Sequence, residues 1–270
     1  MKYKMIVSDL DDTILASDLT YDPKLGASVA KYTSAGGMFV IATGRMTSAT
    51  LPYCKELGLR GDLITYQGAR ISEVSTGQIL LERPMQNELL HNVLKYLHYN
   101  NIYHQLYLDE KIFVKEITDM SRMYLKFISA QFIELGVPLY DYVLKSNISA
   151  LKVAIIADPK EVKPYINFLK TRFDNQLIIN TSKPWIVEII SNEAGKGSAV
   201  KYLADRHSLS PHEIICIGDS ANDVSMIEYA GIGVAVANAS LEAFRAANII
   251  CPPSCADGVR SIIEKFGFLD

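Results

Sequence analysis

Three carboxylates within four residues follow the first apolar run of the chain, at Asp9, Asp11 and Asp12. Side chains alternate along a strand, so Asp9 and Asp11 are predicted to project the same way from its carboxyl end. Two carboxylates this close repel each other unless a cation or a proton lies between them. A hard divalent cation, Mg²⁺ above all, is therefore expected, with one carboxylate oxygen left to attack an electrophile. Taken alone, the segment also fits the preference of Asp for turns and strand ends.

A hydroxyl, a glycine and a guanidinium follow the next apolar run, at Thr43, Gly44 and Arg45. Ligands of open α/β sheets bind at the carboxyl edge, so this group is predicted to lie near Asp9. The Thr43 hydroxyl and the Gly44 backbone N–H can both donate to a phosphate oxygen. A threonine that caps a helix explains the Thr43–Gly44 pair as well.

A lysine lies between two glycines where a helical pattern begins, at Gly195, Lys196 and Gly197. The exposed N–H groups and the dipole of a helix start favour an anion, and the ammonium adds a full positive charge. The spacing does not fit a Walker loop, which needs a longer glycine-bracketed run before its lysine. A lysine in such a place is otherwise a solvated surface residue.

The last polar cluster follows the apolar residues 214–217 and contains Asp219, Asn222 and Asp223. Asp219 could supply a second carboxylate to the cation expected beside Asp9. Asn222 could donate to a phosphate, and Asp223, one turn on, could orient either Lys196 or a metal-bound water. Turn and N-cap chemistry explains one such residue but not the whole set.

These residues need a sheet that brings several strand ends together. Apolar runs of strand length occur at residues 4–9, 37–42, 62–65, 185–190, 213–217 and 247–250, with helical patterns between many of them. This alternation predicts an α/β fold with a parallel sheet covered by helices. Within 84–184 the pattern becomes α+β, with paired strands at 103–108 and 111–115 and a helical run to about 135. We therefore predict a Rossmann-like core, 1–83 and 185–270, with an inserted domain at 84–184.

Composition restricts the class of protein. The 270 residues are 49% hydrophobic and 21% charged, which predicts a globular chain. A net charge of −3 gives no electrostatic reason to bind nucleic acid or an anionic membrane. The start of the chain reads directly into a strand, without a secretion signal or a run of transmembrane length, so a cytoplasmic protein is expected. The scattered cysteines, Cys54, Cys216, Cys251 and Cys255, are predicted to be reduced and structural. Nothing in the sequence indicates the oligomeric state.

Together, the four clusters resemble the motifs of the haloacid dehalogenase superfamily of phosphohydrolases: D-x-D-x-T, a Ser or Thr, a Lys, and G-D-x-x-x-D. The chain is most similar to the Cof-type members, in which a large α/β cap is inserted between the second and third motifs. The motifs match within 1–83 and about 185–270, and the middle of the chain matches by its placement.

The resemblance implies a role for each matching residue. Asp9 would be the nucleophile that forms an aspartyl phosphate, and Asp11 the general acid and base. Mg²⁺ would be held by Asp9, the main-chain carbonyl of Asp11, and Asp219. The transferring phosphoryl group would be contacted by the backbone N–H of Leu10 and by Thr43, Gly44, Lys196 and Asn222.

Three positions leave questions open. Asp12 stands where close relatives often have glycine, and it is predicted only as a turn residue. Gln67 begins a Gln-Gly-Ala segment where the family frequently has Asn-Gly-Ala, so any substrate contact made by that Asn is in doubt. Arg45 would either bind a second anionic group of the substrate or form a structural salt bridge.

The resemblance implies a Mg²⁺-dependent phosphatase of small phosphorylated metabolites, either sugar phosphates or phosphorylated cofactors. Side chains of the inserted domain would select the leaving group and exclude bulk water. Two alternatives stay open at this point. The motifs also fit a phosphomutase, and the same fold could serve a non-catalytic metabolite-binding protein.

Overall fold

The computed structural model describes residues 1–124, 130–173, 175–251 and 255–269. The strands are β1 Met5–Ser8, β2 Met38–Ala42, β3 Asp62–Thr65, β4 Arg70–Glu73, β5 Ile79–Glu82, β6 His104–Leu108, β7 Lys111–Val114, β8 Gln131–Glu134, β9 Lys152–Ile156, β10 Leu177–Asn180, β11 Ile186–Ser191, β12 Ile214–Gly218, β13 Ile232–Ala235 and β14 Ile249–Ile250. The helices are α1 Leu25–Ser34, α2 Thr47–Glu56, α3 Asn87–Tyr99, α4 Asp119–Tyr124, α5 Leu139–Ser146, α6 Pro159–Arg172, α7 Lys196–Arg206, α8 Val224–Tyr229, α9 Leu241–Ala246 and α10 Cys255–Phe266. Short 3-10 turns lie at Tyr66–Gly68 and Pro211–Glu213.

The chain divides into two compact units. The first contains Met1–Arg45, Thr50–Leu81 and Gly195–Asp270, and the second contains Met46–Ala49 and Glu82–Ala194. Among the described residues, no helix is both long enough and apolar enough to span a membrane.

The first unit contains an eight-stranded sheet in the order β14-β13-β12-β1-β2-β3-β4-β5. The pairs from β14 through β3 are parallel, and β4 returns antiparallel to β3. Ile6 of β1 packs into one apolar core, whereas Met5 and Val7 pack into another. A strand buried on both faces has a continuous apolar run, as parallel sheets require. The predicted α/β class with a parallel-sheet core is confirmed.

Helices cover both faces of this sheet. Residues of α1 and α10 contribute to the core that contains Ile6, and residues of α7 and α8 contribute to the core that contains Met5. Because β1 lies between β2 and β12, the carboxyl ends of these three parallel strands meet at one edge. Asp9, Thr43 and Asp219 each directly follow one of these strands. The topology thus brings together side chains that are far apart in the sequence.

The second unit has a six-stranded sheet in the order β10-β11-β9-β6-β7-β8, with an apolar core formed by residues of its sheet and of helices α3, α5 and α6. Two predictions made for this part of the chain differ from the structure. The predicted core range begins at residue 185 and so includes this strand, although the run at 185–190 also completes the α+β pattern of the insertion; in the structure β11 pairs antiparallel with β9 and β10. A short apolar run fits a buried strand of either sheet, so periodicity could not distinguish them.

The helical run predicted to about residue 135 also differs. The structure has α4 and then the strand β8, which pairs parallel with β7, so tertiary pairing outweighs local propensity. Residues 125–129 of the predicted run lie outside the described residues.

Candidate active site

Asp9 and Lys196 form the centre of the site. The Asp9 backbone N–H donates to the Ile217 carbonyl at 2.9 Å, which continues the β1–β12 pairing one residue past the strand. The Lys196 ammonium lies 2.5 Å from Asp9 Oδ1 and 2.5 Å from Asp223 Oδ1. Burial by itself would lower the pKa of Lys196, but the two carboxylates outweigh burial and raise it above its usual value. A permanently charged ammonium therefore lies against the predicted nucleophile.

Asp223 connects Lys196 to the turn after β12. Its Oδ2 accepts the backbone N–H groups of Asp219 and Ser220, each at 3.0 Å, while Oδ1 accepts Lys196. A Cβ at Gly218 would lie 2.5 Å from Asp223 Cβ, so only glycine allows this approach. The i to i+4 spacing of Asp219 and Asp223 thus closes the turn onto itself and orients the ammonium.

Three carboxylates could hold a cation. Ligand oxygens of Asp9, Asp219 and Asp223 all lie within 4.8 Å of one another. Burial, reinforced by the charges of Asp9 and Asp223 and opposed by Lys196, raises the pKa of Asp219 to about 9. Burial also raises the pKa of Asp9 to about 7; Lys196 opposes the change, while Asp223 and Asp11 reinforce it. An oxygen-preferring divalent cation fits this donor set because it would offset the repulsion that disfavours the ionised forms.

Asp11 was predicted as a metal residue through its main-chain carbonyl, and its side chain lies apart from the carboxylate cluster. Both of its carboxylate oxygens accept from Arg45, Oδ2 from Nε at 2.8 Å and Oδ1 from a terminal nitrogen at 2.6 Å. The Arg45 guanidinium also lies over the Tyr53 ring, 5.1 Å from its centroid. Of the two roles considered for Arg45, the structure displays a salt bridge to the predicted acid and base.

The turn after β1 explains two further residues. The Leu10 carbonyl accepts the N–H groups of Ile14 and Leu15, at 3.0 and 2.7 Å, which turns the chain back over the strand end. Asp12 has a φ of 61°, and its carbonyl accepts the Asn238 side-chain amide at 2.9 Å. Glycine suits this position in the related motif because the backbone here is left-handed, a conformation that glycine adopts without steric cost. Asp12 is thus a turn residue in the structure.

The predicted phosphate-binding residues lie around this centre in the first unit. Thr43 is buried, and its hydroxyl oxygen accepts the Arg45 backbone N–H at 3.1 Å, which leaves the hydroxyl proton to donate. The half-buried Gly44 lies between them. Asn222 is 7% exposed, and its Nδ2 donates to Gln67 Oε1 at 2.8 Å.

The glycines that flank Lys196 have separate structural reasons. Gly195 has a φ of 110°, which a residue with a side chain rarely adopts. A Cβ at Gly197 would lie 2.5 Å from the Ser225 carbonyl oxygen, so this glycine lets α7 and α8 pack closely. A close approach of another backbone is thus observed at Gly197.

Sequence reasoning left three participating residues without a role. The Thr13 hydroxyl donates to Asp219 Oδ1 at 3.0 Å, the Ser220 hydroxyl donates to Asn222 Oδ1, and Gln67 accepts from Asn222. The threonine of D-x-D-x-T was the available signal for Thr13. The cysteines Cys54, Cys216 and Cys251 are free and buried, as predicted; the side chain of Cys255 lies outside the described residues.

Comparison with known proteins identifies the family that the chain resembles. The family model of haloacid dehalogenase-like hydrolases matches residues 6–263. A Haemophilus influenzae protein named "Putative phosphatase" is 29% identical over 276 residues, covering 98% of each chain. The Bacillus subtilis protein "Putative phosphatase YxeH" is 30% identical over 278 residues, covering 97% of this chain and 98% of its own.

A solved structure is also similar. The crystal structure of a haloacid dehalogenase-like hydrolase from Bacteroides thetaiotaomicron has a TM-score of 0.82 at 26% identity and covers 98% of this chain and 99% of its own. The matches to both the family model and full-length relatives, together with the shared fold, lead to one conclusion. The chain belongs to the haloacid dehalogenase-like hydrolase family and is a phosphatase.

Proposed function

We propose that this protein hydrolyses small phosphorylated metabolites in a Mg²⁺-dependent reaction that passes through a phosphorylated Asp9. One observation carries the proposal. The Asp9 carboxylate lies 2.5 Å from a buried ammonium and within 4.8 Å of two further carboxylates, at the edge where three parallel strands end. Such a group can bind a phosphoryl dianion and a cation together, and it offers an oxygen nucleophile.

In the first step, an Asp9 oxygen would attack phosphorus while the ester P–O bond breaks. Protonated Asp11 would give its proton to the departing alkoxide. Donors from Thr43, Gly44, Lys196 and Asn222, with the Leu10 N–H, would neutralise the equatorial oxygens of the phosphoryl group. Lys196 supports this role because its charge is already fixed beside the attacking oxygen.

In the second step, Asp11 would take a proton from water as the water oxygen attacks the aspartyl phosphate. This restores Asp9 and releases inorganic phosphate. Both Asp11 oxygens accept from Arg45 in the structure, so at least one of these hydrogen bonds must open before Asp11 can transfer a proton. Arg45 would thus alternate between Asp11 and another acceptor.

The cation would be held by carboxylates of Asp9 and Asp219, and Asp223 would keep Lys196 and the turn after β12 in place. The main-chain carbonyl of Asp11 remains the third ligand in our proposal. When bound, Mg²⁺ supplies positive charge to the phosphoryl oxygens and lowers repulsion between the nucleophile and its target. Mg²⁺ is favoured over softer metals because the donor set consists of oxygens.

We assign the choice of leaving group to the second unit, which we propose acts as the substrate-selecting cap. The unit is a complete α+β structure with its own apolar core, so it can differ among relatives without altering the sheet that carries Asp9. The substrates we propose are sugar phosphates and phosphorylated cofactors.

A phosphate-release screen over a broad panel of metabolite esters, with p-nitrophenyl phosphate included, tests the proposal. We expect release with Mg²⁺ and its loss in excess chelator, with recovery when Mg²⁺ is restored. A hexose 1-phosphate supplied with an activator bisphosphate distinguishes the mutase reaction. Isomerised sugar phosphate without free phosphate would overturn the hydrolase proposal, and release unaffected by chelator would overturn the cation.

A further inference from the structure

The loop between β3 and β4 contains three consecutive left-handed residues. Tyr66, Gln67 and Gly68 have φ angles of 52°, 59° and 89°, and all three are buried. Such a backbone costs about 1 kcal/mol or more at each residue with a side chain. It persists only where surrounding contacts enforce it, so the contacts of this turn indicate what it holds in place.

The first set of contacts is with the segment that follows β2. The Tyr66 N–H donates to the Arg45 carbonyl at 2.9 Å, and the Gln67 N–H donates to the Thr43 carbonyl at 3.0 Å. Two adjacent amides of the turn thereby fix the backbone on both sides of Gly44. The proposed phosphate donors of this segment depend on the left-handed turn for their position.

The second set is with the start of α7. A Cβ built on Gly68 would lie 2.2 Å from the Gly195 carbonyl oxygen and 2.9 Å from the backbone nitrogen of Lys196. The turn therefore lies directly against the backbone that presents Lys196, and no side chain fits between them. The same three residues thus contact two of the proposed phosphate-binding segments.

The third contact is made by the Gln67 side chain. Gln67 is 1% exposed, and its Oε1 accepts from Asn222 Nδ2 at 2.8 Å. The Ser220 hydroxyl donates to Asn222 Oδ1. The Asn222 amide is thus held at both of its polar atoms, and an amide nitrogen has a second hydrogen available for another acceptor.

We propose that Gln67 is a positioning residue for phosphoryl transfer, which orients the Asn222 amide so that its second N–H can meet the phosphoryl group. The left-handed turn around Gln67 at the same time aligns Thr43 and Lys196 with Asn222. This inference rests on the proposed function. It also gives a role to Gln67, the position at which the sequence departs from the family's Asn-Gly-Ala pattern.

A double-mutant cycle of Gln67→Met and Asn222→Ala tests the proposal. Methionine has nearly the length of glutamine and is also unbranched. It therefore places about the same steric demand on the left-handed backbone, while it removes the acceptor oxygen. We expect Gln67→Met to lower kcat/KM for the best ester about tenfold through its effect on Asn222. In the Asn222→Ala background the same change should alter kcat/KM less than about twofold, because its target is absent.

Tyr32→Phe is the matched control. It removes a buried hydrogen bond in the same unit, from the Tyr32 hydroxyl to the Tyr3 carbonyl at 3.0 Å, without touching the site. It should lower the unfolding temperature and leave kcat and KM unchanged in both backgrounds. If Gln67→Met fails to fold, Gln67→Asn takes its place, because asparagine tolerates the left-handed region and its shorter side chain withdraws the acceptor. The losses in kcat/KM should again be non-additive, but by a smaller factor.

Independent, multiplicative losses in the cycle would overturn the inference, as would wild-type kinetics for a folded Gln67→Met. The cycle is repeated with the dissociation constant of inorganic phosphate, which needs no turnover. If wild-type protein binds phosphate but hydrolyses no ester, the proposed function fails. Non-additive phosphate binding would still uphold the role of Gln67, and additive binding would overturn it.

Discussion

Replacing Asp9 with asparagine should abolish turnover and at the same time stabilise the metal-free protein. The side chain keeps its shape, and the amide oxygen can still accept a hydrogen bond from Lys196, which lies 2.5 Å from Asp9 Oδ1. What disappears is a buried negative charge close to those of Asp219 and Asp223. The nucleophile is lost as well, so we expect kcat to fall at least about 10³-fold.

The size of the stabilisation follows from the pKa of Asp9. Burial raises this pKa from the ordinary value of 3.8 to about 7. Between these two values the folded state binds more protons than the unfolded state, so the stability of the wild type falls as pH rises. The full penalty is present above pH 7 and amounts to at most about 4 kcal/mol. Asn does not titrate, so the D9N variant escapes this penalty.

The assay is urea unfolding of the wild type and the D9N variant in excess chelator at pH 5 and pH 8. The variant should be more stable at pH 8, and its advantage should be about 2–3 kcal/mol larger there than at pH 5. Saturating Mg²⁺ should reduce this advantage, because the cation binds the ionised wild-type site more tightly than a site that lacks one carboxylate.

A variant advantage that does not change between pH 5 and pH 8 would refute the electrostatic reasoning. A D9N variant less stable than wild type at pH 8 in chelator would refute it too. Substantial turnover by the variant, with deamidation excluded by mass spectrometry, would refute the assignment of Asp9 as nucleophile. Stability and activity are measured separately, so each part of the reasoning can fail alone.

Three further changes test other parts of the structure. Gly68→Ala should destabilise the protein by more than about 2 kcal/mol in thermal unfolding, because its Cβ would lie 2.2 Å from a backbone oxygen. Gly77→Ala is the control: its φ is also positive, at 72°, but its Cβ would lie in open space, so it should cost only about 1 kcal/mol. Burial lowers the pKa of His104 to about 4, so wild-type stability should fall as pH drops from 6.5 to 4, and His104→Gln should lessen that fall by about 2 kcal/mol in urea titrations. Lys152→Met should lower the unfolding free energy by about 3–5 kcal/mol, because it removes the counter-ion of Glu188, whose carboxylate is 2% exposed and 2.8 Å from the ammonium. Adding Glu188→Gln should restore most of the loss, and a double variant as unstable as Lys152→Met would contradict this.

The parallel sheet and the placement of the main chemical groups could be predicted because each depends on a short stretch of chain. An apolar run followed directly by Asp9 or Asp219 indicates both a buried strand and the edge at which it ends. Parallel strands present their carboxyl ends together, so the meeting of these groups followed from topology alone. Lys196 could be placed similarly, at a helix start bracketed by glycines.

Partners among the side chains could not be predicted in the same way. The sequence did not show that Arg45 takes both oxygens of Asp11, because the contact depends on how two separate loops place their side chains. It likewise did not reveal that Asp223, rather than the Asp11 side chain, completes the carboxylate cluster. The predicted boundary at residue 185 differs from the structure for another reason, since the apolar run of β11 satisfies a central strand of either sheet.

Gln67 lies between these cases. Its departure from the related Asn-Gly-Ala pattern was visible, but its meaning depends on a left-handed backbone and on Asn222, 155 positions away in the chain. The glycine that follows it gave a local signal for such a backbone. No pattern in the sequence identifies Asn222 as the residue that donates to the Gln67 side chain.

The order of strands in the first sheet has a consequence for how the chain folds during synthesis. β1 pairs with β2 on one side and with β12 on the other, so one edge of this fully buried strand has no partner until the last quarter of the chain emerges. Lys196 is 187 positions after Asp9, a delay of about 10–40 s at ribosomal rates. The second unit can fold as an almost continuous segment during this wait, while the incomplete sheet presents an apolar edge to chaperones or to other nascent chains. Truncation before β12 should therefore yield an aggregating product rather than a smaller folded domain.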